Sequence, residues 1–186
     1  YYCGNTWTEL QGVTLYDWTY TRNLPASGQL TLQEGLMRSC NPWFWHIGYT
    51  LWNEGYTTAI ADVASGFGLG KKTGIEITEF EGRLEQPTSV SENVQLAIGQ
   101  GTLQVSPLQV ASFVAAVGNG GTLYRHTVVD KIVPVSGGDP VYEFEPDAVS
   151  KLPVTEENLA AIQEAMVMVV RNPRGTATSH LSSVSV

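Results

Sequence analysis

The 186-residue sequence predicts an α+β fold. Several stretches repeat apolar residues at helical spacing behind a capping residue, and the clearest begin after Thr31, Ser106 and Thr155. Residues 127–135 and 141–144 are instead extended and flank a glycine-rich turn, which is typical of an antiparallel hairpin. Helices and strands thus occupy separate stretches of the chain, as they do in α+β proteins.

The first helix follows a segment without regular structure. Residues 1–30 are rich in aromatic residues and turn formers and show no sustained helical period, so we predict loop with short extended pieces. Thr31 and Glu34 then have the spacing of a capping box, in which each side chain serves the other's backbone N–H. This pair predicts a short helix through Met37.

Two further helices are predicted before residue 66. Asn41 is a favoured N-cap, and Pro42 suits the first helical position, where a missing N–H costs nothing. Apolar residues at helical spacing follow, and Gly55 supplies the stop. The third helix is predicted over residues 58–65.

The stretch 66–74 is rich in glycine but does not predict a nucleotide site. A Walker-type loop needs Gly, four residues and then Gly-Lys-Ser/Thr in front of a helix, whereas the spacing here fails and residues 75–77 favour a strand. Five carboxylates follow, at positions 76, 79, 81, 85 and 92. Paired carboxylates suggest glycoside hydrolysis only where their separation is fixed, so we interpret residues 76–85 as a solvated acidic loop.

The second half of the chain continues with two helices. Ser106, Pro107 and Gln109 form a cap, and the helix behind it has a broad apolar face that we expect to be central and buried. That face is predicted to comprise Leu108, Ala111, Val114, Ala115 and Val117.

The last helix begins at an acidic first turn behind Thr155 and carries an apolar stripe. The stripe comprises Leu159, Ile162, Met166, Val169 and Val170. Residues 172–175 end this helix, and the alternation over residues 181–186 predicts the beginning of a strand.

Composition excludes several classes of function. The net charge of −8 argues against nucleic-acid binding, and the three histidines are too scattered for a zinc site, so we predict neither metal nor cofactor. No apolar run approaches the length of a membrane span. Cys3 and Cys40 could form a disulfide in an exported protein, or both could be small buried thiols. We favour the second interpretation.

A polar motif lies between the first two helices. The Ser39 hydroxyl and the Asn41 amide are two residues apart between two helix ends, so they should be held in a fixed relation. On its own this pattern indicates helix capping. Ser39-Cys40-Asn41 also resembles the Ser-x-Asn motif of penicillin-binding protein transpeptidases, the serine enzymes that cross-link peptidoglycan and are acylated by β-lactams.

Three further runs strengthen the resemblance. Residues 98–111 (IGQGTLQVSPLQVA) closely resemble a signature of the same family, with Ser106 where Thr is usual. Residues 119–123 (NGGTL) and 175–177 (GTA) follow in the family's order. The resemblance covers essentially the whole chain.

The resemblance implies a fold and two site residues. The chain would be a fragment of the transpeptidase fold, mostly its helical subdomain, with a β-hairpin and the helix that leads into the sheet. Residues 1–186 would form one partial domain, truncated at both ends. Ser39 would relay a proton between two catalytic lysines, and Asn41 would bind the substrate amide.

The nucleophile motif of this family is absent from the sequence. Its enzymes attack with the Ser of Ser-x-x-Lys, and no serine here is followed by Lys three residues later. Lys72-Thr73-Gly74 spells the family's third motif but precedes the position where the family has it, so we interpret Lys72 as a solvated turn residue. We therefore expect the fragment to be inactive alone.

The resemblance also implies partners and a location. Peptidoglycan stem peptides and β-lactams would bind the full-length protein, which would work with the cell-division or elongation machinery. It would lie outside the cytoplasm, anchored to the bacterial membrane by a segment outside this chain. Two alternatives remain open at this point, namely a β-lactam sensor domain and a non-catalytic structural relative of the same fold.

Overall fold

Helices and two-stranded antiparallel pairs form the structure, a computed structural model that describes residues 1–181. In chain order the elements are β1 (Tyr2–Cys3), β2 (Thr6–Trp7), β3 (Leu15–Tyr16), α1 (Trp18–Thr21), β4 (Gly28–Gln29), α2 (Leu32–Met37), α3 (Asn41–Asn53), α4 (Ala59–Gly66), α5 (Val90–Leu96), α6 (Pro107–Gly118), β5 (Thr122–Tyr124), β6 (Lys131–Ile132), β7 (Tyr142–Glu143), β8 (Ala148–Lys151), α7 (Glu156–Arg171) and α8 (Thr178–Leu181). Strand β1 pairs with β4, β2 with β3, β5 with β8 and β6 with β7.

The described chain divides into two compact units. The first unit comprises residues 1–62 and 85–103 together with 155–181, and the second comprises residues 63–84 and 104–154. Among the helices of residues 1–181, none is both long enough and apolar enough to cross a membrane.

In the first unit, α3 packs closely against α5. Trp45 of α3 and Val94 of α5 share a buried cluster with Trp7. The side-chain amide of Asn93, which is fully buried, donates to the Gly48 carbonyl at 2.7 Å. A Cβ on Gly48 would lie 2.9 Å from the Cβ of Ala97, so glycine is what allows the two helices to approach this closely.

Helix α5 is an element that the sequence analysis missed. The Ser89 hydroxyl accepts from the Glu92 N–H at 3.3 Å, and the Glu92 carboxylate accepts from the Thr88 N–H at 2.7 Å. This pattern is close to a capping box, and the Ser-x-x-Glu spacing from Ser89 was a signal that could have predicted the helix.

Helices α2 and α7 form the other packed pair of this unit. The predicted capping box is confirmed, because the Thr31 hydroxyl accepts from the Glu34 N–H at 3.2 Å and the Glu34 carboxylate accepts from the Thr31 N–H at 2.9 Å. Thr155 caps α7 as predicted, and Leu159 of its apolar stripe is buried.

In the second unit, α6 adjoins β5, which pairs with β8. The capping box of Ser106 and Gln109 is confirmed. The predicted buried face is confirmed only at Val117, because Ala111, Val114 and Ala115 are exposed whereas Gln109 and Ala116 are buried. The Gln109 amide nitrogen donates to the Lys71 carbonyl at 2.7 Å and to the Glu81 carbonyl at 2.8 Å, and these bonds turn a polar face inward.

The predicted hairpin is confirmed in a shorter form. Lys131 lies opposite Glu143, and Ile132 lies opposite Tyr142. Residues 75–77, predicted as a strand, form none, since this segment is fixed by the Glu76 carboxylate, which accepts from Val128 N–H at 3.0 Å and from the Thr127 hydroxyl.

The predicted C-terminal strand was placed over residues 181–186. Leu181 is the last residue of α8, and residues 182–186 lie outside the described residues.

Replacing Gly48 tests the packing of α3 on α5. We expect Gly48→Ala to lower the free energy of unfolding by about 1–3 kcal/mol, because the added methyl group overpacks a buried contact. Gly118→Ala is the matched control, since a Cβ there meets nothing within 4 Å and alanine favours a helix. Chemical denaturation measures both, and equal effects in the two variants would contradict the close approach.

Candidate active site

Ser39 lies just beyond the end of α2 in a conformation that favours glycine. The Ser39 N–H donates to the Leu36 carbonyl at 3.0 Å, and the Cys40 N–H donates to the Gly35 carbonyl at 2.9 Å. These two bonds form a Schellman motif, whose left-handed position is most often glycine. Ser39 occupies that position with a φ of 51°, at a cost of about 1–2 kcal/mol. The residue is exposed, so the hydroxyl is presented to solvent on a strained turn.

The N-cap of α3 is Cys40, so the assignment of Asn41 as N-cap was wrong by one residue. Cys40 has an extended backbone, and its sulfur accepts from the Trp43 N–H at 3.4 Å. Asn41 is the first helical residue, and its N–H, which has no partner within the helix, donates to the Asp17 carboxylate at 3.1 Å. The Asn41 side chain is therefore not used to cap the helix.

Cys40 is also one half of a disulfide, and the prediction of two separate thiols was wrong. Its sulfur is bonded to that of Cys3, and both residues are fully buried. The pairing of β1 with β4 accounts for this, since it places Cys3 beside Gly28 and next to Leu30 in the same buried cluster. The Cα atoms are 6.2 Å apart, a separation that a disulfide spans. Such bonds are typical of proteins outside the reducing cytosol.

Asp17 is the hydrogen-bonding centre beneath the motif, and the sequence analysis missed it. This fully buried carboxylate caps α1 by accepting from the Thr19 N–H at 3.2 Å and from the Thr19 hydroxyl at 2.6 Å. Its other oxygen accepts the Asn41 N–H. Asp-x-Thr at the start of a helix was a visible capping signal, but its second partner is 24 residues away and left no local signal.

Two arginines and a tryptophan support the residues before Ser39. The Trp18 indole donates to the Arg38 carbonyl at 3.1 Å, and the Arg38 guanidinium lies 5.5 Å from the centre of the Trp18 ring. The Arg174 side chain donates to the Ser27 carbonyl at 2.9 Å, while Arg38 donates to the Arg174 carbonyl. Burial and the charge of Arg174 lower the pKa of Arg38, and the charge of Asp17 partly offsets them.

The GTA segment also lies against this turn. The N–H of Thr176 donates to the Met37 carbonyl at 3.3 Å, two residues before Ser39. The structure therefore brings together two of the motifs that the sequence analysis had linked only by their order along the chain.

The side chains of Ser39 and Asn41 are left available by this arrangement. Within residues 1–181, neither the Ser39 hydroxyl nor the Asn41 amide is hydrogen-bonded to another group. The backbone on both sides is held by hydrogen bonds, whereas the two side chains are free to contact another molecule.

A family comparison identifies the class of protein to which the chain belongs. The sequence profile of the penicillin-binding protein transpeptidase domain matches residues 4–186. The chain belongs to this family. Stage V sporulation protein D of Bacillus subtilis is 34% identical over 153 residues, which cover 80% of this chain and 22% of that protein. Peptidoglycan D,D-transpeptidase MrdA of Acinetobacter baumannii is 26% identical over 171 residues, which cover 86% of this chain and 24% of MrdA.

Solved structures of this family share the fold. A chain from a structure titled "Structural coordination of polymerization and crosslinking by a peptidoglycan synthase complex" is 27% identical, with a TM-score of 0.80 over 100% of this chain and 30% of that one. The chain thus has a mixed α+β fold that matches transpeptidase structures. It spans about a quarter of the length of the curated relatives above.

The Lys72-Thr73-Gly74 triplet of this chain is an irregular segment of the second unit. Lys72 is exposed and lies outside any helix or strand, as predicted for a turn residue. Its neighbours Thr73 and Gly74 are held by hydrogen bonds. The Glu79 carboxylate accepts from the Thr73 N–H and hydroxyl at 2.9 and 2.8 Å and from the Gly74 N–H at 2.9 Å. Burial alone would raise the pKa of Glu79, but these bonds outweigh it and lower the pKa. This carboxylate of the acidic loop is therefore fixed by its hydrogen bonds to Thr73 and Gly74.

Comparing glycine and alanine at position 39 tests the strained turn. In ordinary helical or extended backbone, alanine is more stable than glycine by about 0.5–1 kcal/mol. We expect the reverse here, with Ser39→Gly about 1 kcal/mol more stable than Ser39→Ala, because only glycine adopts a φ of 51° without strain. Urea denaturation of the two variants measures this difference. The ordinary order, with alanine more stable, would contradict the left-handed conformation.

Proposed function

We propose that this chain is the Ser-x-Asn-bearing part of a serine D,D-transpeptidase. The full-length enzyme would cross-link peptidoglycan stem peptides through an acyl-enzyme and would be acylated by β-lactams. Family membership supports the reaction class. The observation that carries the proposal is that the Ser39 hydroxyl is exposed on a strained turn and has no hydrogen-bond partner within residues 1–181.

Ser39 is proposed to relay a proton between two lysine side chains. A hydroxyl group donates one hydrogen bond and accepts others, so it can take a proton from one amine and deliver another to a second. A pure capping role would favour glycine at this position, because glycine forms the same backbone bonds without strain. Retaining a strained serine is consistent with a use for its hydroxyl group.

Asn41 is proposed to bind the substrate's peptide-like amide. Its side chain carries both a donor and an acceptor, as an amide partner requires. Cys40 already caps α3, and Asp17 already accepts the backbone N–H of Asn41. The Asn41 side chain is thus not needed to cap the first turn of α3, and the backbone that carries it is held in place.

The same proposal covers the part of the transpeptidase fold that the chain forms and the location of the protein. The chain would comprise mostly the helical subdomain, with the β6–β7 hairpin and α7 leading into the sheet, and residues 1–186 would be one partial domain. The disulfide supports a position outside the cytoplasm. A related chain occurs in a peptidoglycan synthase complex, which supports assembly with the cell-division or elongation machinery. The membrane anchor would lie in another part of the parent protein.

Acylation kinetics of the full-length protein test the proposed roles. We expect Ser39→Ala to slow acylation by a fluorescent penicillin about 10²–10⁴-fold, the usual contribution of a proton-transfer group. Asn41→Ala should also slow acylation, but its free energy of unfolding should change by less than about 0.5 kcal/mol, because Cys40 provides the cap.

Lys72→Ala is the matched control for these variants. Lys72 is an exposed residue of the Lys72-Thr73-Gly74 triplet, which we do not assign as the catalytic Lys-Thr-Gly, so its replacement should leave acylation unchanged. If that replacement abolished acylation, or if the Ser39 and Asn41 variants reacted at the normal rate, the assignment of the motifs would be wrong. The isolated chain, which contains no Ser-x-x-Lys, should not be labelled.

A further inference from the structure

The lysines of this chain are concentrated around one cavity. The sequence contains four lysines, at positions 71, 72, 131 and 151. Lys71, Lys72 and Lys151 line a cavity of about 360 Å³ in the second unit, and Lys131 does not. Its volume is in the range of small-molecule sites. In a protein with a net charge of −8, three of four lysines around one cavity indicate a local preference for negative charge.

Neutral hydrogen-bonding groups complete the wall of this lysine cavity. The Ser112 hydroxyl donates to the Leu108 carbonyl at 2.7 Å and is also hydrogen-bonded to Nε2 of His126. Since the hydroxyl has only one proton, His126 donates in the second bond, and its ring is held at the wall. The amide of Gln109 is held there as well, by its bonds to the Lys71 and Glu81 carbonyls.

The positive charges are not neutralised by acids in the lining. In the described part of the chain, the cavity wall contains neither Asp nor Glu. The Lys151 ammonium donates to the Thr122 hydroxyl at 2.5 Å, a neutral partner that leaves its charge uncompensated. Glu79 lies near Lys72 and interacts with its charge, but three N–H and O–H groups of Thr73 and Gly74 already occupy its oxygens.

We propose that the lysine cavity binds a phosphate group. The lining contains lysine and no arginine. Lysine binds phosphate as a compact point charge, whereas planar carboxylates are matched best by the arginine fork. Several lysines around one small cavity suit a group with charge on several oxygens. The phosphate can be free or carried on an organic group such as a lipid headgroup or an envelope polymer.

Phosphate binding in the lysine cavity uses none of the residues proposed for the transpeptidase chemistry. The lysine cavity is lined only by residues of the second unit, and Ser39 and Asn41 belong to the first. Phosphate binding therefore needs neither a nucleophile nor an acyl-enzyme, and it can be tested on the 186-residue chain itself.

The experiment titrates inorganic phosphate into the chain at constant ionic strength and pH. The histidine ring resonances report the position of binding by NMR, because His126 lines the cavity whereas His46 and His180 do not. We expect a saturable shift of the His126 signals alone. Glycerol 3-phosphate as a second ligand distinguishes the sources, since a stronger response to it indicates phosphate on an organic group and a weaker one indicates free phosphate.

Lysine variants test the assignment. Lys71→Gln with Lys151→Gln should weaken phosphate binding at least about tenfold, because two of the three lysines in the lining lose their charge. Lys131→Gln removes the same charge outside the cavity and should bind normally. Lys72→Gln, at an exposed position, provides a second cavity variant if the first pair fails to fold. No saturable shift, equal shifts of all three histidines, or equal weakening by Lys131→Gln would each overturn the proposal.

Discussion

The candidate site depends most on the hydrogen bond between the Asp17 carboxylate and the Asn41 backbone N–H. Asp17 is fully buried, so its charge is stabilised only if its oxygens are occupied, and Thr19 and Asn41 supply the donors. The same bond gives the first N–H of α3 a partner. Cys40 caps the helix, and the Asn41 side chain has no hydrogen bond within residues 1–181.

Around this bond, the structure supports the strained residue from several directions. The Cys3–Cys40 disulfide ties the middle of the motif to β1, Trp18 holds the Arg38 carbonyl, and the Thr176 N–H holds that of Met37. A left-handed serine costs free energy and persists only where neighbouring contacts determine the backbone. These contacts around a strained turn are consistent with a functional role for the Ser39 hydroxyl that requires a fixed position.

Local signals in the sequence predicted the elements that depend on neighbouring residues. The capping boxes at Thr31 and Ser106 and the cap at Thr155 are confirmed because each involves residues within one helical turn. Helix α5 was missed although its cap is local, whereas other errors lie where a distant residue determines the structure. The disulfide of Cys40 needs a partner 37 positions away, and the buried side of α6 follows from Gln109 bonding to a carbonyl 38 positions away. The family motifs were recognisable, but their meeting at Met37 and Thr176 required the fold.

A crystal structure of the full-length protein acylated by penicillin tests the central claim most directly. The account predicts that the Asn41 amide lies about 3 Å from the amide of the bound β-lactam. It also predicts that the Ser39 hydroxyl is hydrogen-bonded to the lysine of Ser-x-x-Lys while φ of Ser39 stays positive. An acyl group attached to a serine within residues 1–186, or Ser39 and Asn41 both remote from the ligand, would contradict it.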